Sequence, residues 1–201
     1  MTGIVSAVPV GLPGLAVLAT GFLIGALLFL AARGRRERDP AESGSARAPA
    51  SIAGIVVQGL GFAIAGIGPI LVTLDPMGAK ALGEAALIAA LLAVSVGLFG
   101  WASRTMGRDW SLRARTRADH RLVRDGPFRY VRHPIYSAML LYLVALAIAY
   151  GHPWQLLGAI PVYVVGTLIR TRSEERLLRE MFGSEYETYA AKVKRFVPGL
   201  L

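Results

Sequence analysis

The 201-residue chain contains no cysteine. That absence excludes disulfides, thiol catalysis, iron–sulfur ligation and cysteine-based zinc sites, and it gives no sign of the redox compartment. Charge is also scarce: 17% of residues are charged and 54% are apolar, against roughly 25% and 45–50% in soluble domains. Nucleotide fingerprints are missing. Gly59-Leu60-Gly61 lacks a third glycine and lies inside an apolar run rather than after a strand, so a Rossmann or P-loop site is not expected. No GxSxG elbow and no HExxH pair occur. His120 and His133 have no carboxylate at ligand spacing, so no metal site is expected.

What the chain does have is long uncharged apolar stretches separated by basic blocks, with a mean hydropathy of +0.51. This pattern excludes both a disordered chain and an ordinary soluble enzyme, and it points to a polytopic membrane protein. The net charge of +9 fits cytoplasmic loops facing anionic lipid. No base-reading motif accompanies it, so nucleic acid is not an expected partner.

The expected fold is all-α, with five transmembrane helices, the last two forming a hairpin, and one cytoplasmic site at the membrane surface. Ile4 to Ala32 is the first apolar run, and its regular helix is expected to start near Gly14, past Pro9 and Pro13. No cation precedes it, so it does not read as a cleaved signal. Gly21 and Gly25 form a GxxxG pair suited to close helix contact. Ser51 to Leu74 is the second span, Asp75-Pro76-Met77-Gly78 a turn, and Ala81 to Ser103 the third span. Ile135 to Tyr150 and Trp154 to Leu168 are short runs joined by Gly151-His152-Pro153. Each gives about 23 Å of helix, enough to cross the bilayer or nearly so.

Charge tests this layout. The blocks 33–50, 104–134 and 169–201 hold 5, 9 and 7 Lys or Arg, that is 21 of the 22; Lys80 is the exception. Five spans put all three blocks on one side. The positive-inside rule then places the N-terminus outside and the C-terminus in the cytoplasm. Four spans would split the blocks. Beyond the hairpin, Leu168 to Met181 continues the fifth helix, Gly183 ends it, and Ser184-Glu185-Tyr186-Glu187 reads as a capping box that starts another. The chain reads as one domain, 1–201, with 1–103 as a three-span scaffold and 104–201 as the half that builds the site, which the resemblance described below makes the cofactor-binding and catalytic half. The short hairpin turn brings the two segments flanking the hairpin together at the membrane surface.

Two constellations within that half could carry chemistry. The segment Asp119 to Tyr136 holds two histidines, the Gly126-Pro127 turn and several aromatics, and Pro134 suits the first position of a helix. The bland alternative is a basic interfacial loop with aromatic anchors. Arg170 and Glu174 are i and i+4, so they share a helix face, while Arg172 and Glu175 point elsewhere. That pair is either an ordinary surface pair or an arginine fork able to hold a carboxylate.

The string His120-Arg121-Leu122-Val123, Gly126-Pro127-Phe128, Arg132-His133-Pro134-Ile135-Tyr136, then Arg170 with Glu174-Glu175, then Phe182-Gly183-x-x-Tyr186-x-x-Tyr189 resembles the isoprenylcysteine carboxyl methyltransferase family and the related phospholipid methyltransferases. The resemblance covers about 104–198. It implies transfer of a methyl group from S-adenosylmethionine, giving S-adenosylhomocysteine, to a lipid-embedded acceptor. By motif matching, His120, Arg121, Leu122, Val123, Phe128, His133, Pro134, Ile135 and Tyr136 would line the cofactor pocket. Glu174 would contact the cofactor, with backbone groups near His133, and Arg170 would face the substrate. Two positions depart from the pattern: Phe128 often has a tyrosine counterpart, and Arg113 stands where some members carry an amide.

The implied reaction is an in-line displacement that needs mainly alignment. A carboxylate acceptor is already anionic, so Arg170 could align one oxygen and leave the other to attack. An isoprenylcysteine-like or other isoprenoid or fatty carboxylate fits this; a phospholipid amine would need a base such as Glu174 or a histidine. Expected partners are therefore a lipophilic or prenylated substrate and membrane lipids. Two other classes share the architecture: a steroid-reductase-like NADPH oxidoreductase, for which no second-nucleotide contacts are visible, and a non-catalytic membrane module.

Overall fold

The structure, a computed structural model, describes residues 7–37, 49–107 and 122–199. His120, Arg121 and Arg113 lie outside the described residues. Among the described residues six α-helices follow one another: α1 (Leu12–Glu37), α2 (Pro49–Gly66), α3 (Ala79–Met106), α4 (Pro134–Ala149), α5 (Leu156–Phe182) and α6 (Ser184–Lys192). Among the described residues there is no strand beyond two isolated bridges, Val10 with Val72 and Val131 with Lys194.

The apolar patterning accounts for the packing. α4 is apolar all round, as a helix buried on every side must be. One face joins α1 and α3 in a cluster of Leu18, Ile88, Leu92, Ala145 and Ala149. The other joins α2 and α5 through Ala65, Leu143, Ala147, Ala159 and Tyr163. Two hydrogen bonds tie the start of α4 to its neighbours. The Ser95 hydroxyl of α3 donates to the Ala138 carbonyl at 2.7 Å, and the Tyr163 hydroxyl of α5 donates to the Tyr136 carbonyl at 2.8 Å.

α2 lies against α5 along a seam of small residues. A Cβ at Gly166 would stand 2.6 Å from the Gln58 nitrogen, and one at Gly61 would stand 3.1 Å from the Ala159 oxygen. Backbones that close need glycine, the arrangement by which membrane helices associate where lipid is as apolar as leucine. The Gly21–Gly25 pair serves only in part: Gly21 packs on Leu92, whereas a Cβ at Gly25 would meet nothing within 4 Å among the described residues.

The ends of the bundle are distinct. At one, Val8 N–H donates to the Gly151 carbonyl, Val10 N–H donates to the Leu71 carbonyl, and His152 lies between the Ala65 and Pro69 carbonyls. Gly151 turns the chain from α4 toward α5 with φ +75°, a conformation that L side chains avoid. At the other end lie the C-terminus of α3, the N-terminus of α4, the later part of α5 and α6. Successive long helices run in alternate directions between these ends.

The sequence reading holds for the start of α1, for the hairpin and for Gly183, which ends α5 with φ +50°. It fails at two places. The second helix stops at Gly66 rather than near Leu74, because Gly68 (φ 146°) and Pro69 leave the helical region and the following segment runs extended beside Val10. The capping box does not form either. Gly183 takes the cap position of α6 with no side-chain cap, and Glu187 accepts from Arg179 Nε at 2.7 Å instead. Among the described residues two helical segments, Leu12–Gly34 and Ala79–Met106, are long and apolar enough to cross a membrane; Ile52–Gly66 and Pro134–Ala149 are shorter apolar helices.

Candidate functional site

His133 caps α4 from outside, and Pro134 follows as its first residue, where a missing N–H costs no helical hydrogen bond. Tyr136 sits less than one turn further on. Facing it, α5 presents Arg170 and Glu174 one turn apart. The Tyr136 hydroxyl donates to Glu174 Oε1. His133 Nδ1 lies 3.6 Å from Glu174 Oε2, and Arg170 Nη2 lies 3.8 Å from Glu174 Oε1. The Arg170 guanidinium also stands over the Tyr136 ring, 5.1 Å from its centroid, in the range of a cation–π contact. Arg170 is buried, whereas the Glu174 side chain keeps 23% of its surface exposed. This carboxylate is thus oriented by three groups yet open on one side.

Glu175, the next residue, has the opposite environment. Its side chain is fully buried and gathers three arginines and the His133 ring. Arg195 donates twice, from Nε at 2.9 Å and Nη2 at 2.8 Å. Arg132 Nη2 donates at 3.1 Å, His133 Nε2 lies at 3.2 Å, and Arg179 Nη2 at 3.5 Å. Burial alone would raise the carboxyl's pKa. The Arg195 and His133 hydrogen bonds and the Arg132 charge outweigh it and hold the group well below the usual carboxylate range. His133 is therefore held between the two carboxylates, one at each ring nitrogen.

The segment after α6 completes the wall. It runs parallel to the chain entering α4, so that Arg132 N–H donates to the Lys194 carbonyl at 2.8 Å and His133 N–H to the Arg195 carbonyl at 2.9 Å. Ser137 Oγ donates to the Phe196 carbonyl, and the Phe196 ring lies 6.0 Å from that of His133. Arg132 Nη1 donates to the carbonyls of Ala190 and Val193. The His133 and Arg132 amides are thus committed to this strap. From α6, the Tyr189 hydroxyl donates to the Phe128 carbonyl at 2.7 Å; burial pushes this phenol up to about 12, so it keeps its proton at neutral pH.

A sequence model of the phospholipid methyltransferase family matches residues 84–185, half of the chain. The chain belongs to the phospholipid methyltransferase family. Among curated proteins, it is 33% identical over 96 residues to one from Oryza sativa subsp. indica named "Probable protein-S-isoprenylcysteine O-methyltransferase", covering 47% of this chain and 50% of that protein. It is 30% identical over 96 residues to protein-S-isoprenylcysteine O-methyltransferase B of Arabidopsis thaliana, covering 47% and 49% respectively. It is also 30% identical over 114 residues to the cobalt-zinc-cadmium resistance protein CzcN of Cupriavidus metallidurans, covering 54% and 50%. The chain spans about half the length of these curated relatives.

Within this phospholipid methyltransferase family member, the structure brings His133, Tyr136, Arg170 and Glu174 together. Pro134 and Phe128 are buried nearby in the chain, and Leu122, Val123 and Ile135 are half-buried. Glu175 lies off the Arg170–Glu174 face, as the spacing predicts, but it turns inward, where it forms the buried centre on which His133 and the strap are fixed. Nothing in the local sequence marks Arg132 or Arg195 as partners of Glu175, and Gln58 falls in the three-span scaffold, 1–103. A lone amide in an apolar run was the available signal for Gln58, since such a group needs internal partners. Its Oε1 accepts from Arg170 Nη1 at 3.1 Å.

Proposed function

We propose that this chain is an integral membrane methyltransferase that moves a methyl group from S-adenosylmethionine to the carboxylate of a lipophilic acceptor, an isoprenylcysteine-like or other isoprenoid or lipid carboxylate. Family membership and the relatives' names support the methyl transfer. The observation that carries the acceptor class is the buried Arg170 guanidinium beside the part-exposed Glu174 carboxylate at one end of the bundle. The donor set suits S-adenosylmethionine, whose sulfonium and ammonium groups are cationic. Glu174 offers an oriented carboxylate with an open side, and the rings of Tyr136 and Phe196 flank His133.

Glu174, His133, Tyr136, Leu122, Val123, Phe128, Pro134 and Ile135 would hold the cofactor, with His120 and Arg121 added by the family resemblance. When bound, the cofactor supplies an electrophilic methyl on a sulfonium. The protein's share is positional. Tyr136 and His133 fix the Glu174 carboxylate. Arg170 presents a charged donor to one acceptor oxygen and leaves the other free to attack. No O–H or N–H bond breaks, so no general base is required. Tyr136 keeps its hydroxyl directed at Glu174, and the strap shields His133 from solvent.

Five membrane crossings with the N-terminus outside and the site in the cytoplasm fit the alternating helix directions, which bring the C-terminal ends of α1, α3 and α5 to the site end, where the sequence places the three basic blocks next to them. The acceptor enters from the bilayer.

The test uses detergent-purified protein. S-adenosylmethionine and S-adenosylhomocysteine each raise thermal stability by mass action, and NADPH does not. Arg170→Ala abolishes methyl transfer to N-acetyl-S-farnesylcysteine while S-adenosylhomocysteine still binds. A shift with NADPH alone, or normal turnover in Arg170→Ala, contradicts the proposal.

A further inference from the structure

Gln58 lies on α2, outside the stretch matched by the family, and is 2% exposed. A buried amide must pair both of its ends or lose free energy. Its Nε2 donates to Thr167 Oγ1 at 2.8 Å, and its Oε1 accepts from Arg170 Nη1 at 3.1 Å. The amide has one sensible orientation here: a guanidinium only donates, so the oxygen must face it, while a threonine hydroxyl accepts from the nitrogen. The Arg170 fork is then held from two helices, with Nη1 on Gln58 and Nη2 toward Glu174. The Tyr136 ring lies against its face.

The approach of α2 makes this reach possible. A Cβ at Gly54, one turn before Gln58, would stand 2.4 Å from Arg170 Cγ, and one at Gly166 would stand 2.9 Å from Gln58 Cγ. Glycine at both places lets the short amide arrive at the guanidinium. Charge matters as much as reach. Glu174 is shared among Arg170, His133 and Tyr136. Gln58 accepts a hydrogen bond without adding negative charge, so Arg170 keeps net attraction for an anion.

We propose that Gln58 is a positioning residue for acceptor recognition, aiming the Arg170 guanidinium while leaving its charge for the acceptor carboxylate. This rests on the reading of Arg170 as the acceptor-facing group. A purely structural amide would affect only helix association, and the kinetics of the folded protein would not change.

The experiment compares Gln58→Met and Gln58→Glu with wild type, reconstituted in liposomes, using N-acetyl-S-farnesylcysteine and S-adenosylmethionine. Gln58→Met, which removes the acceptor atom at similar volume, lowers kcat by about tenfold to a hundredfold, the cost of a misaimed group. Gln58→Glu keeps an acceptor atom but neutralises Arg170, and it raises KM for the carboxylate by about tenfold or more, as for loss of a charge-assisted contact. The dissociation constant of S-adenosylhomocysteine stays at the wild-type value in both. Combining Gln58→Met with Arg170→Lys gives less than the product of the two single losses, because both act through one group.

Wild-type kcat and KM in the folded variants overturn the proposal; if Gln58→Met does not fold, unchanged KM in Gln58→Glu alone does so. Arg170→Ala separates the two levels. Normal turnover there defeats the reading of Arg170 itself. Lost turnover there with unchanged Gln58 variants defeats only this inference.

Discussion

Glu174 and Glu175 are neighbours in sequence, yet one carboxylate is oriented and accessible while the other is sealed among cations. A helix turns about 100° per residue, so adjacent side chains meet different surroundings. Removing Glu175 leaves Arg132 and Arg195 buried or part-buried without their counter-charge. Glu175→Ala is therefore expected to cost about 3–5 kcal/mol, read as a lower unfolding midpoint in detergent. The pH dependence has a definite sign. The native carboxyl titrates below its ordinary value near 4.5, so the stabilisation is fully present above about pH 4.5 and is lost as pH falls below it. Wild-type stability falls below that pH, and Glu175→Gln shows a smaller fall. Arg170 and Glu174 were legible in the sequence because i, i+4 spacing fixes a shared face within one helix. Glu175 was not: Arg179 stands at i+4, but its shorter contacts come from positions 132, 133 and 195, which no spacing rule connects.

At the scale of elements, helix identity was legible wherever apolar length and Gly or Pro punctuation agreed, as for α1, α3 and the hairpin. Where local signals competed, the reading slipped. Apolar residues continue past Gly66, but Gly68 and Pro69 release the backbone to pair beside Val10. The α2–α5 seam was hidden because glycine is common in membrane spans; only the partner helix shows which glycines are in contact. Gly166→Val places a branched side chain where even a Cβ meets the Gln58 backbone at 2.6 Å. The expected outcome is a loss of about 1–3 kcal/mol or more from overpacking, together with reduced turnover because α2 carries Gln58 away from Arg170. Gly25→Val, at a position that meets nothing within 4 Å, leaves both stability and turnover near wild type.

At the scale of the whole molecule, the bundle separates two tasks. One end is closed by the Val8, Val10, Leu71 and Gly151 backbone contacts and by His152. The other gathers the strap, the two carboxylates and Arg170. The order of elements makes this possible: α4 and α5 form a hairpin, so the segments leaving its open end meet there, as the short turn between the two apolar runs anticipated. The contribution of α2 to that end was not legible, because it depends on a helix pairing across more than a hundred residues of chain, Gln58 to Arg170. The most direct measurement is transfer of a radiolabelled methyl group from S-adenosylmethionine to N-acetyl-S-farnesylcysteine by the purified protein in liposomes. The account predicts that label enters the acceptor, is released by mild base as an ester would be, and is absent with Arg170→Ala. Failure to label the acceptor, or label that resists base, would contradict it.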